Sequence, residues 1–130
     1  LCKEAGAKRA LPLPVSVPSH CALMKDAADK LAQEFNNVTF NSPTIAVVNN
    51  VDVAIETSAD AIKAALIKQL YSPVRWTETV QYLAQQGIEQ AIEAGPGKVL
   101  QGLLKRIDKT ISCQSVNDSA SLTKALESVE

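Results

Sequence analysis

The chain contains a single histidine, His20, and histidine is the side chain whose ordinary pKa suits it to exchange protons near neutral pH. His20 stands between a proline-marked segment, Pro14 to Ser19, and a stretch with the pattern of an amphipathic helix. Such a junction can hold a side chain rigidly over a cleft. Many isolated histidines are surface or core residues without a chemical role, so His20 needs partners before it counts as a general base.

A catalytic imidazole requires a nucleophile to deprotonate, a group that orients its second nitrogen, and an oxyanion hole. A nucleophilic serine is expected on a sharp strand-to-helix elbow of the form G-x-S-x-G. None of the serines in this sequence has that context. His20 is therefore either a structural residue or one half of a catalytic pair whose nucleophile is not among these residues.

The run Gly95 to Lys98 has some features of a phosphate-binding loop. A Walker A motif, however, requires glycine where this chain has Ile92 and serine or threonine where it has Val99. The glycines instead predict a tight turn from a strand into a helix. The N-terminus of that helix could still face an anion.

The remaining candidate residues form no recognisable site. Cys2, Cys21 and Cys113 are scattered, and with one histidine they predict reduced thiols in a cytoplasmic protein and no zinc site. Glu89 and Glu93 share one face of a predicted strand, which we interpret as an exposed polar edge.

The composition is that of one soluble globular domain or a piece of a larger one, with 130 residues and a formal net charge of −1. The basic pairs Lys8-Arg9 and Lys105-Arg106 are too few for a nucleic-acid interface, so none is predicted. No apolar run has the length of a membrane span, so no membrane contact is predicted either.

Alternating strand and helix patterns predict an α/β fold with a mostly parallel sheet flanked by helices. The predicted strands cover residues 8–15, 38–40, 44–48, 88–94 and 110–116. The predicted helices cover residues 21–36, 57–70, 76–86, 98–107 and 117–129. Apolar residues expected to face the core include Leu23, Leu31, Ile62, Val80, Leu104, Leu122 and Leu126. Thr57 to Asp60 has the form of a capping box.

The first residues, Leu1 to Gly6, have the pattern of the last turn of a helix that ends at a left-handed glycine. A chain that begins at the end of a helix, without an initiating methionine, is expected to be cut from a longer protein.

Four motifs then occur in a fixed order: Val17 to Met24, Val47 to Asp52, Gln69 to Trp76, and Glu93 to Leu100. Together they resemble the C-terminal part of the bacterial malonyl-CoA:acyl-carrier-protein transacylase family over essentially the whole chain. The resemblance implies an α/β-hydrolase-like acyltransferase fold that carries a ferredoxin-like insertion. Residues 1–14 would be the end of that small subdomain, and residues 15–130 the C-terminal part of the large one.

The resemblance also implies a ping-pong transfer of malonyl from coenzyme A to the phosphopantetheine thiol of an acyl carrier protein. His20 matches the family's general base, and Gln69 matches the residue whose main-chain carbonyl orients it. The family's nucleophilic serine, its carboxylate-binding arginine and its oxyanion-hole glutamine have no counterpart in these residues. The chain alone is therefore expected to be inactive, and the reaction needs no cofactor beyond its two substrates.

Two other functions stay open. The chain could be a non-catalytic α/β interaction domain, or the acyltransferase unit of a polyketide synthase. Malonyl-selecting modular enzymes of the second kind carry phenylalanine where this chain has Ser19. Core-facing stripes without their covering strands would also favour self-association or a companion fragment of the same protein.

Overall fold

The computed structural model describes residues 1–12 and 14–128. These residues contain five α-helices and a two-stranded sheet. In chain order they are α1 (Lys25–Glu34), α2 (Ala59–Tyr71), α3 (Trp76–Gln85), β1 (Gln90–Ala94), α4 (Val99–Ile107), β2 (Ser112–Val116) and α5 (Ser119–Glu127). Short 3-10 turns, Ala22–Met24 and Phe35–Asn37, flank α1. None of these helices combines the length and the apolar character that crossing a bilayer requires.

Side-chain caps fix where two of the helices begin. The hydroxyl of Ser58 accepts a hydrogen bond from the Ala61 N–H (3.3 Å), so α2 is capped one residue later than the predicted Thr57. Asp118 and Ser121 form a complete capping box at the start of α5, with the Ser121 N–H 2.7 Å from the Asp118 carboxylate. Such caps satisfy N–H groups that have no partner inside the helix.

The expected helix end is present at the N-terminus. The N–H of Gly6 donates to the carbonyl of Lys3 and that of Ala7 to Cys2, both at 3.0 Å, which is the Schellman arrangement. Gly6 has a φ of +90°, a conformation that glycine adopts without steric cost. The prediction of a helical turn closed by Gly6 is confirmed.

The sheet is a parallel pair that α4 connects. β1 and β2 are in register from Gln90 opposite Ser112 to Ala94 opposite Val116. Both α4 and α5 contact β2, so helices flank the sheet as the α/β prediction requires. The assignment of residues 1–14 to a separate small subdomain stays a prediction.

The main core lies between α3, α4 and the sheet. Val80 is completely buried, and Leu104 and Ile111 are each 4% exposed. Partly buried residues surround these three side chains: Trp76, Leu83, Ala84, Ala91, Ile107 and Cys113. The inward positions predicted for α3 and α4 at Val80 and Leu104 are therefore confirmed.

A second packing region joins α1 to α2. Each helix has one buried residue, Ala28 in α1 and Ala65 in α2. Small side chains let two helix backbones come close together. This contact holds the segment that precedes α1 against α2.

Three predicted strands are absent from the described residues. Residues 38–40 and the described part of 8–15 form no strand; Leu13 lies outside the described residues. Segment 44–48 forms only a single antiparallel bridge, Val48 to Ile55, and Ile45 and Val47 are 78% and 62% exposed. A β-branched run becomes a buried strand only where neighbouring chain pairs with its backbone and covers its faces, and no described strand lies beside these runs.

Several apolar stripes are also more exposed than predicted. Leu23, Leu122 and Leu126 are 79%, 48% and 55% exposed, while α5 buries Ala125 instead. The periodicity identifies the apolar face of each helix, but burial requires another element to pack on that face. No described element covers these leucines, and the predicted end of α5 at Val129 lies outside the described residues.

We predict that Val80→Ala destabilises the protein by about 2 kcal/mol, because it removes two fully buried carbon atoms and leaves a cavity. Chemical denaturation of both proteins measures the difference in the free energy of unfolding. The matched control is Val38→Ala, at a side chain that is 47% exposed, where a change below about 0.5 kcal/mol is expected. Equal losses for the two variants would contradict this assignment of the core.

Candidate active site

His20 is attached to the C-terminal end of α2 at two points. Its ring atom Nδ1 lies 2.9 Å from the main-chain oxygen of Gln69, a residue 49 positions away in the sequence. Its backbone N–H donates to the main-chain oxygen of Leu70 at 3.0 Å. The structure thus brings together the two site residues that the sequence singled out, and it adds a second anchor at Leu70.

The end of a helix is suited to this attachment. The last carbonyl groups of an α-helix have no intrahelical donor and carry partial negative charge. Gln69 and Leu70 belong to the last turn of α2, which ends at Tyr71. Their oxygens therefore offer hydrogen-bond acceptors to the imidazole and its backbone without placing a formal charge beside them.

The backbone of His20 is held in an uncommon conformation. Its φ is +61°, in the left-handed region that residues other than glycine seldom adopt. Local hydrogen bonds support this turn: Ser19 N–H donates to the Val17 carbonyl at 2.8 Å, and the Cys21 thiol donates to the Pro18 carbonyl at 3.2 Å. Such conformations cluster at functional sites, where the surroundings fix a side chain in place. No sequence pattern predicted it.

The contact with Gln69 determines the protonation pattern of the neutral ring. A main-chain carbonyl oxygen can only accept a hydrogen bond, so the proton of the neutral imidazole must be on Nδ1. Nε2 then carries the free lone pair. His20 is exposed on the surface of the described structure, so this lone pair is accessible to a reacting group. The arrangement suits a general base.

A tight loop, residues 49–54, lies beside the end of α2. Asn49 organises it by accepting from the Asp52 N–H (2.8 Å) and by donating from its amide to the Ala54 carbonyl (3.0 Å). Val53 has a φ of +57°, which is rare for a β-branched residue. The side chain of Val51 is buried at 5% exposure. These features fix the loop firmly.

The loop connects α2 to the start of α3. Asp52 pairs with Lys68 on α2, and its main-chain oxygen accepts from Arg75 Nη1 at 3.3 Å. The Arg75 N–H donates to the Asn50 carbonyl at 2.9 Å. Arg75 also pairs with Glu78, and this hydrogen bond raises the pKa of Arg75 and lowers that of Glu78. The sequence motifs contained Asn50, Asp52 and Arg75 but neither Lys68 nor Glu78, and they gave no indication of these contacts.

The glycine turn before α4 binds an anion of its own. Gly95 and Gly97 have φ values of +145° and +99°, so the prediction of a tight turn is confirmed. The carboxylate of Glu93 accepts hydrogen bonds from the N–H groups of Leu100 (3.0 Å) and Gln101 (2.9 Å) at the start of α4. Glu93 thus fills the position where an external anion could have been bound. It is half-buried, which corrects its interpretation as an exposed edge residue.

These contacts lower the pKa of the Glu93 carboxyl. The Gln101 N–H has the largest effect, the Leu100 N–H and the Ser115 hydroxyl add to it, and partial burial opposes it. The hydroxyl of Ser115 lies 3.3 Å from the carboxylate and 3.1 Å from the side-chain oxygen of Gln101. The charged form of Glu93 therefore joins β1, β2 and α4.

A cavity of about 250 Å³ opens between the segment 41–49 and α2. Its walls are mainly apolar and include Val47, Ile62 and Leu66, together with Gln69. His20 does not line it. Within residues 1–12 and 14–128, no group of three or more His, Cys, Asp or Glu side chains is arranged to hold a metal ion.

Comparison with known proteins links this geometry to one kind of enzyme. The chain is 63% identical over 126 residues to the malonyl CoA-acyl carrier protein transacylase of Escherichia coli K12, which covers 97% of the chain and 41% of that protein. It is 41% identical, over all 130 residues, to the corresponding transacylase of Bacillus subtilis. No protein-family model matches the chain.

Solved structures agree. One is a malonyl-transacylase in complex with a type II PKS acyl-carrier protein; it is 64% identical, with a TM-score of 0.92 over 98% of this chain and 41% of that one. Another is an acyl carrier protein S-malonyltransferase from Vibrio cholerae, 65% identical with a TM-score of 0.88 over 95% of this chain and 40% of that one.

The fold and the sequence of the chain are therefore similar to those of one part of these acyltransferases. More specifically, the chain corresponds to a part of the malonyl CoA-acyl carrier protein transacylases, and the resemblance to that family is confirmed. The chain spans 37% to 41% of the length of the curated relatives that it matches.

We predict that Glu93→Gln lowers the melting temperature by a few degrees at pH 7, because an amide oxygen accepts the helix N–H groups more weakly than a carboxylate. The pKa of Glu93 is lower in the folded protein than its ordinary value of 4.5. The stabilisation is therefore complete above that ordinary value and is lost as the pH falls through the lower, folded value.

Thermal unfolding of Glu93→Gln and the unsubstituted protein across the acidic range tests this. The difference in melting temperature between them should shrink on acidification, since Glu93 becomes protonated and is then as uncharged as the glutamine. Glu89→Gln, at an exposed neighbouring position, is the matched control and should unfold like the unsubstituted protein. A difference for Glu93→Gln that is independent of pH would show that its charge is unimportant.

Proposed function

We propose that this chain supplies the general base of a malonyl-CoA:acyl-carrier-protein transacylase. The observation that carries the proposal is the contact between His20 Nδ1 and the Gln69 main-chain oxygen, in a chain that is 63% identical to such an enzyme. This contact leaves Nε2 as the proton acceptor. The transacylases that the chain resembles use a serine nucleophile, which a neighbouring imidazole must activate.

The proposed reaction has two balanced halves. The serine oxygen attacks the thioester carbon of malonyl-CoA, its proton passes to Nε2 of His20, and the carbon–sulfur bond breaks; the proton then goes to the coenzyme A sulfur. In the second half, the phosphopantetheine thiol gives its proton to Nε2 and attacks the malonyl ester. The serine leaves with that proton, and malonyl is bound to the carrier protein. The reaction as proposed requires no cofactor.

The end of α2 replaces the carboxylate found in many catalytic triads. In both halves the imidazole carries a positive charge while it holds the proton. The partial negative charge of the helix C-terminus stabilises a nearby cation. The carbonyl of Gln69 keeps its hydrogen bond to Nδ1 throughout, so the ring does not rotate when Nε2 changes its protonation state.

The proposed partners are malonyl-CoA and an acyl carrier protein, supported by the related malonyl-transacylase whose structure contains a carrier protein. All three cysteines are free in the structure, consistent with the cytoplasmic location that we propose. Exposed apolar side chains, among them Ile45, Val47 and Val99, support the further expectation of self-association or a companion polypeptide.

We predict that the 130-residue chain, purified by itself, transfers no malonyl from malonyl-CoA to carrier protein. A general base without a nucleophile cannot form the covalent intermediate, and no serine of the chain lies in a G-x-S-x-G sequence. Mass spectrometry of the carrier protein after incubation with malonyl-CoA measures the transfer. Malonylated carrier protein formed at the rate of an intact transacylase would refute this assignment.

We predict that His20→Gln, in a protein that also contains the nucleophilic serine, lowers kcat/KM by about 10²- to 10⁴-fold, the contribution usual for general base catalysis. Burst kinetics with malonyl-CoA should place the loss in the acylation step. The control is Ser19→Ala, which changes the adjacent side chain and retains the imidazole. Near-normal acylation by His20→Gln would remove His20 from the mechanism.

A further inference from the structure

The end of α2 offers two main-chain carbonyl groups to His20. Pro73, two residues after the helix ends, explains why these groups are available. In a continuing α-helix, the oxygen of Gln69 would accept from the N–H of residue 73, four positions later. Residue 73 is Pro73, which has no N–H. Gln69 therefore has no donor at the position where a longer helix would provide one.

Pro73 also affects the residue before it. A proline ring disfavours the helical conformation of the preceding residue and shifts it to an extended one. Ser72 is extended, with φ −116° and ψ 149°. The backbone therefore leaves the helical path immediately after Tyr71, and the Leu70 oxygen accepts from the His20 N–H.

We propose that Pro73 is a positioning residue for the imidazole: it keeps the Gln69 carbonyl free, so that Nδ1 of His20 holds the proton and Nε2 accepts one. This inference rests on the proposed function of His20. It assigns to Pro73 an effect on the tautomer of the ring, which can be measured without any enzymatic assay.

The surrounding contacts allow residue 73 to be changed without loss of the fold. Asp52 pairs with Lys68 before the junction, and the Arg75 N–H donates to the Asn50 carbonyl after it. Neither contact involves Pro73. The loop 49–54 thus holds both sides of the α2–α3 connection, and a substitution at residue 73 is expected to act locally.

Two substitutions both add the missing N–H and remove the ring, and they differ in how strongly they favour another turn of helix. Pro73→Ala adds an N–H and favours another turn of helix, so the new N–H competes with His20 for the Gln69 oxygen. Pro73→Gly adds the same N–H at a residue that disfavours helix by about 1 kcal/mol relative to alanine. Alanine should therefore have the larger effect on His20.

The experiment uses the transacylase that contains this chain and its nucleophilic serine. For Pro73→Ala we expect kcat/KM to fall about tenfold, the fold-change that one net hydrogen bond provides, with little change in KM. For Pro73→Gly we expect a smaller fall. The matched control is Pro96→Ala, a proline in the exposed turn between β1 and α4, which should keep the unsubstituted rate.

Nitrogen-15 NMR of the neutral imidazole provides the second measurement, with the His20 signal assigned by its loss in His20→Gln. In the unsubstituted protein the proton should be on Nδ1, and in Pro73→Ala the form with the proton on Nε2 should increase. An unchanged tautomer would overturn the role of Pro73, even if the activity fell. Pro73→Gly provides the same test if Pro73→Ala fails to fold.

The outcomes also separate this inference from the proposed function. If His20→Gln retains activity while Pro73→Ala still shifts the tautomer, the proposed function fails and the positioning effect stands. If His20→Gln is inactive and Pro73→Ala changes neither rate nor tautomer, the general base stands and the inference about Pro73 is wrong.

Discussion

The attachment of His20 to the C-terminal end of α2 is the interaction on which the candidate site depends. It joins segments 49 residues apart, and it uses main-chain oxygens of Gln69 and Leu70 that would otherwise lack donors. A carboxylate in the same place would add a formal negative charge beside the imidazole. The helix end orients the ring through a neutral main-chain oxygen.

The starts of α4 and α5 follow the same physical rule. The first N–H groups of α4 donate hydrogen bonds to the carboxylate of Glu93. At the start of α5, the capping box of Asp118 and Ser121 serves the same purpose. In each case a side chain satisfies the unpaired end of a helix; Glu93 comes from a neighbouring strand, and Asp118 directly precedes α5. Glu93 binds β1 to α4 in this way, while His20 binds the segment before α1 to α2.

The surface of the chain contrasts with these well-satisfied polar contacts. Only a two-stranded sheet is present among the described residues, and the β-branched run at 44–48 exposes Ile45 and Val47. Two strands provide little area on which helices can pack. The exposed runs are the surfaces where we propose that further polypeptide packs.

The sequence by itself determined the α/β class, the five helices, the two parallel strands and the pairing of His20 with Gln69, the last through the resemblance of its motifs. Helix periodicity, caps and turn residues are local signals. The inward position of Val80, the helix end at Gly6 and the helix break at Ser72-Pro73 could therefore be predicted without a structure. The tertiary structure decided which apolar faces of the helices and extended segments are covered by other parts of the chain. Burial of Ile45 or Leu122 depends on neighbours that periodicity cannot supply, and the left-handed backbone of His20 and the helix-capping carboxylate of Glu93 depend on contacts between distant segments.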